Sequence, residues 1–116
     1  MTENYGKILY RDHEYIMPFN FNIMEAIQEK YGSLAEWGKL TDGSDGEPNI
    51  SAIIYAYWLI LNEGIEISNE DLGTDLKPMS IKQVGRVITE VGLAEATAKL
   101  NKTVIESTKD AEQKNA

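Results

Sequence analysis

The chain has 116 residues, 19 of them acidic against 11 basic, for a formal net charge of -8, with one histidine and no cysteine. This length accommodates one domain with one modest core, and a hydrophobic content of 42% is too high for a disordered chain. The missing cysteines exclude disulfides, thiolate metal sites and thiol nucleophiles, and the negative charge argues against nucleic acid as a partner.

The first stretch, MTENYGKILYRDHEY, lacks the basic start and apolar core of a signal peptide, so a cytoplasmic protein is expected. Lys7–Tyr10 and Tyr15–Met17 are rich in branched and aromatic residues and flank the polar tetrapeptide Arg11–Glu14. That arrangement predicts a β-hairpin, stopped by Pro18 through its missing amide donor.

A first helix follows, with Asn22 and Glu25 spaced as a capping box and Ile23, Ile27 and Tyr31 on one face. Gly32 ends it. Ser33 and Glu36 form a second box, opening a short helix through Trp37 to about Leu40. The polar run Thr41–Pro48 is a loop.

Asn49 caps the next helix, expected to reach about Asn62 and to stop at Gly64. Its stripe is Ile50, Ile53, Ile54, Tyr57, Trp58 and Leu61, while Tyr55, Leu59 and Ile60 cover much of the rest. A helix apolar on nearly all sides belongs in the middle of a fold. The apolar run from Ile50 to Leu61 falls short of the roughly 20 residues a membrane span requires, so no membrane partner is expected.

Between Ile65 and Met79 only a short helix around Ser68–Leu72 is compatible with Gly73 and Pro78. Ser80 and Gln83 make a third capping box, ahead of Ile81, Val84, Val87, Ile88 and Val91 on one face and a break at Gly92. A last helix carries Leu93, Ala96, Leu100 and Val104. Residues 109–116 hold no large apolar group and are expected to fray, leaving an ordered part of about 6–108 in a single domain. The fold class is mainly α, a small helical domain with an N-terminal β-hairpin.

Reactive constellations are absent from the sequence. His13, the one imidazole, falls in the hairpin turn as a solvated side chain, and two-histidine metal sites are excluded. The loop Thr41–Glu47 is the nearest approach to a calcium motif. Matching Asp45 and Gly46 to its fifth and sixth positions puts Gly43 and Ala52 where oxygen ligands are needed. No catalytic residue, cofactor or metal site is assigned. Binding candidates are aromatic: Trp37, on a peripheral helix beside a polar loop, and Tyr55, off the central stripe, are the candidate partner-binding residues.

Three stretches carry a family likeness: Ile16–Asn22 leading into Ala26–Ser33, the apolar helix Ile53–Asn62 followed by Glu63-Gly64, and Ser80–Ile88 with its continuation to Ile105. In pattern and element order, over about residues 7–108, the chain resembles the tail assembly chaperones of long-tailed bacteriophages and prophages. The resemblance implies a non-enzymatic helper in the bacterial host cytoplasm. Its partners would be the tape-measure protein, kept soluble, and the tail-tube protein, recruited to it. Self-association is compatible with the likeness, as is a longer frameshifted form joined at 109–116. The alternatives are a structural tail-completion or connector component of the virion, and a small acidic metal-dependent enzyme.

Overall fold

The computed structural model describes residues 5–44 and 46–115, with side chains as far as residue 108. Among the described residues an antiparallel hairpin, β1 (Gly6–Tyr10) and β2 (His13–Met17), precedes five helices. These are α1 (Phe21–Tyr31), α2 (Leu34–Thr41), α3 (Ile50–Leu72), α4 (Ile81–Val91) and α5 (Leu93–Asn115). The mainly helical class with a leading hairpin is therefore what the chain adopts.

The hairpin is tighter than its polar tetrapeptide suggests. Tyr10 pairs with His13, so the turn is Arg11-Asp12 alone, at φ 49° and 66°. Left-handed backbone at both central residues matches the strand twist. It costs a non-glycine residue about 1 kcal/mol. Arg11 places its guanidinium 5.1 Å from the centre of the Tyr10 ring. His13 consequently belongs to β2, where its ring meets Tyr15 edge-on at 4.5 Å.

The cap of α1 also differs from expectation. Asn20, not Asn22, accepts the amide of Ile23, at 3.3 Å. Asn22 is free to reach across to α3, where its Nδ2 and that of Asn20 both donate to Glu63 Oε2, at 3.0 and 2.7 Å. Ser33 caps α2 through the amide of Glu36, and Asn49 caps α3 through that of Ala52. Ser80 and Gln83 form the full reciprocal box on α4.

The central helix does not end at Gly64. It continues to Leu72 and closes on Gly73, whose φ of 70° is left-handed. At 23 residues α3 has the length and mean hydropathy of a membrane span. One side of it is nevertheless buried in the protein core, and its second half carries Glu63, Glu66, Glu70 and Asp71. The buried positions are Ala52, Ile53, Ala56, Tyr57, Ile60, Leu61, Gly64, Ile65 and Ser68. Ile50, Ile54 and Trp58, expected on the core stripe, lie outside this set, and Ile60 lies within it. The reason is close approach: the core side carries the small residues Ala52, Ala56, Gly64 and Ser68, which let neighbouring backbones come near.

Gly64 is the extreme case, because β2 crosses the helix there. A Cβ at this position would lie 3.1 Å from Ile16 Cγ1, and nearer still to the Ile16 carbonyl oxygen. On the other flank Tyr57 is fully buried and donates its hydroxyl to the Ala96 carbonyl at 2.7 Å, fastening α5 to α3. Burial, with a smaller contribution from Glu95, holds that phenol well above its ordinary pKa. Along α5, Ala96, Leu100 and Thr103 are buried, and Val104 is partly so. The expected tail at 109–116 falls on residues whose side chains lie outside those described, although the helical backbone is followed to Asn115.

Gly64→Ala separates propensity from packing. Replacing a helical glycine by alanine gains about 1 kcal/mol in an exposed site, whereas overfilling a packed contact costs about 1–3 kcal/mol. Urea unfolding is expected to show net destabilisation.

Candidate functional site

Burial along α3 repeats with the helical turn. Ala52-Ile53, Ala56-Tyr57 and Ile60-Leu61 are buried, while the intervening pairs Ile54-Tyr55 and Trp58-Leu59 are only half-buried. Residues four apart lie one above the other on a helix, so Ile50, Ile54 and Trp58 form one row, with Tyr55 and Leu59 beside it. Ile50, at the head of that row, is 55% exposed. The result is an apolar strip on the central helix that no element of the described chain fully covers.

Both borders of the strip are defined. On one side Tyr31 of α1 meets Tyr55 edge-on, ring centres 6.0 Å apart. Tyr55 in turn lies 5.9 Å from the ring of Trp58. The ammonium of Lys30 sits 4.9 Å from the Tyr55 ring centre, a favourable cation–π position. Burial, then the neighbouring Tyr55 phenol, raises the Tyr31 pKa. On the other side α4 passes close, with Gly85 against Ile54. A pocket of about 170 Å³ continues the strip past Trp58 and Leu59 to Asn22, Ile23, Asn62 and Glu63.

Polar side chains on α3 fix the segment that leads into α4. Asn62 Oδ1 accepts the Met79 amide at 2.8 Å, and its Nδ2 donates to the Met79 carbonyl at 3.0 Å. Trp58 Nε1 donates to that same carbonyl at 3.1 Å. Asn69 treats Leu76 in the same way, at 2.9 Å to its amide and 3.0 Å to its carbonyl. The two asparagines are seven residues apart, about 10.5 Å along a helix, and their targets three residues apart, about 10 Å in extended chain. Residues 73–80 are thereby laced antiparallel to α3 without forming a sheet. Sequence reasoning missed this, because nothing local marks an asparagine whose partner lies up to 17 residues away.

Of the two predicted binding residues, Tyr55 lies in the strip. Trp37 does not. It is 2% exposed, stacked 6.1 Å from Phe19, and donates Nε1–H to the Ala52 carbonyl at 3.3 Å. Its ring anchors α2 to the start of α3 and is unavailable to a partner as a surface contact. Amphipathic spacing would have indicated this, since Trp37 stands three residues from both Leu34 and Leu40, which also pack on the core.

The polar loop after α2 is organised locally. Asp42 Oδ1 accepts the Ser44 amide at 2.8 Å, which lowers the Asp42 pKa. Leu40 O accepts the Asn49 amide at 2.7 Å, closing the loop at its base. Asp45 lies outside the described residues, and among those described no cluster of metal-ligating side chains occurs. The chain matches no protein-family model, no curated protein and no solved structure.

The two aromatic positions are expected to respond differently to truncation. Trp37→Ala removes a core ring and should cost about 3–5 kcal/mol. Tyr55→Ala loses half-exposed ring contacts and should cost about 1 kcal/mol. Equilibrium unfolding of both variants checks the ranking.

Proposed function

We propose that this protein is a non-catalytic binding protein, and that it serves as a tail assembly chaperone of a long-tailed phage or prophage. In this reading the strip Ile50–Ile54–Tyr55–Trp58–Leu59 receives an apolar helical stripe of the tape-measure protein. The carrying observation is that the chain's main core helix keeps aromatic and aliphatic residues half-open between α1 and α4.

A groove between helices is a suitable receptor for an amphipathic helix, whose anchors recur every three or four residues. Tyr and Trp supply contact area with little loss of side-chain freedom. Half-burial of these rings limits the area a partner removes from water, which suits a complex that tail-tube subunits must later displace. The net charge of -8 keeps such a complex soluble by self-repulsion. The family resemblance, carried by pattern and element order, supplies the identity of the partner.

Co-expression with the long helical protein encoded among neighbouring tail genes provides the test. The soluble fraction of that protein is expected to rise when this chain is present. The gain should be lost with the double variant Tyr55→Glu, Leu59→Glu, which places charge in the strip. Equal solubility of the long protein with and without this chain would refute the role.

A further inference from the structure

A second surface has the opposite character. The hairpin turn, the laced segment 73–80 and the first turns of α4 surround a cleft of about 530 Å³. Tyr10, Tyr15, Pro78 and Met79 provide its rings and aliphatic surface. Arg11, Lys77 and Arg86 bring three positive charges, and no acidic residue lines it. In a chain with 19 acidic and 11 basic residues this is a local reversal of sign.

The cations are available. Among the described residues Lys77 and Arg86 make no ion pair, and Arg11, set over the Tyr10 ring, has one exposed ion-pair contact, to Glu90 at 3.9 Å. The cleft is also pre-organised. Asn69 holds Leu76 and Asn62 holds Met79, so Lys77-Pro78 is a two-residue span between fixed points, further stiffened by the proline ring. The Ser80–Gln83 box fixes the first turn of α4, one turn before Arg86. Such fixation lowers the ordering cost of binding.

We propose that this cleft docks a short acidic segment of a partner protein. Its carboxylates would pair with Arg11, Lys77 and Arg86, and an apolar side chain between them would rest on Tyr10, Tyr15 and Met79. Arginine forks match carboxylates in shape as well as charge. The three cations are exposed, which suits a chain lying across the opening better than a small molecule, most of whose surface a binding site encloses. A nucleic acid extends beyond three charges into the field of a chain at -8, where each further phosphate is repelled. The proposal is independent of the tail-assembly reading, because it rests on a different surface.

Fluorescence anisotropy of the full chain with a labelled Asp-Glu-Phe-Asp-Glu peptide tests it. The expected result is saturable binding that weakens with salt, and a neutral Gln-Gln-Phe-Gln-Gln peptide that does not bind. Lys77→Glu with Arg86→Glu should weaken binding about tenfold, because it removes two exposed charge contacts and sets like charge against the carboxylates. The milder Arg86→Gln should weaken it by a few-fold while leaving the circular dichroism unchanged. The control Lys39→Glu with Lys102→Glu, away from the cleft, should leave affinity unchanged. Equal loss in that control, absence of saturation, or tighter binding of oligothymidylate than of the acidic peptide would each overturn the proposal.

Discussion

Where β2 crosses α3, two backbones approach more closely than any side chain larger than hydrogen allows. Gly64 provides the gap and the Ile16 carbonyl occupies it. Several features gather at this crossing. The residue before Gly64, Glu63, receives both Asn20 and Asn22, so the start of α1 is fastened beside the end of β2. Met17, Pro18 and Phe19 are buried in between. The hairpin is thus positioned by the helix, as a two-stranded ribbon that is marginal alone requires. Dispersion and apolar burial then act over the whole α3–β2 contact, and the position of α1 follows from the same junction.

The opposite side of α3 is organised by hydrogen bonds more than by bulk. Asn62 and Asn69 each satisfy an amide and a carbonyl of the returning chain, and the match between helical and extended rise lets both do so at once. Buried or half-buried backbone groups need such partners. The lacing holds α4 close enough for Gly85 to lie against Ile54. It leaves Tyr55 and Leu59 half-covered, because Asn62 and Asn69 lie further along the helix. A core helix with one half-open side is therefore a consequence of how its neighbours are attached.

Features governed by short-range chemistry were legible in the sequence. Strand composition marked the hairpin, and the caps Ser33, Asn49 and Ser80 announced their helices. The errors have a common physical origin. Gly64 was read as a stop because local propensity carries no information about a strand crossing above it. Hydrophobicity alone assigned Ile50, Ile54 and Trp58 to the core, whereas Ala52, Ala56 and Gly64 mark the side where backbones come close. Asn20 is the cap because the helix already begins at Phe21, which puts Asn22 inside its first turn. Trp37 was credited with a binding role that its indole, committed to Ala52, does not leave open. Tyr55, the other predicted contact, stands in the half-open strip. The cationic cleft draws on three separate parts of the chain and so left no motif.

Both functional proposals depend on α3 being one rigid rod, since the strip lies on it and the cleft is laced to it. Backbone hydrogen exchange of the free chain measures this directly. A single cooperative unit should show its slowest amides running without interruption from Ala56 to Ser68, together with those of β2 around Ile16. Fast exchange confined to residues 62–66, between two protected halves, would mean that the helix breaks at Gly64 and would contradict the account.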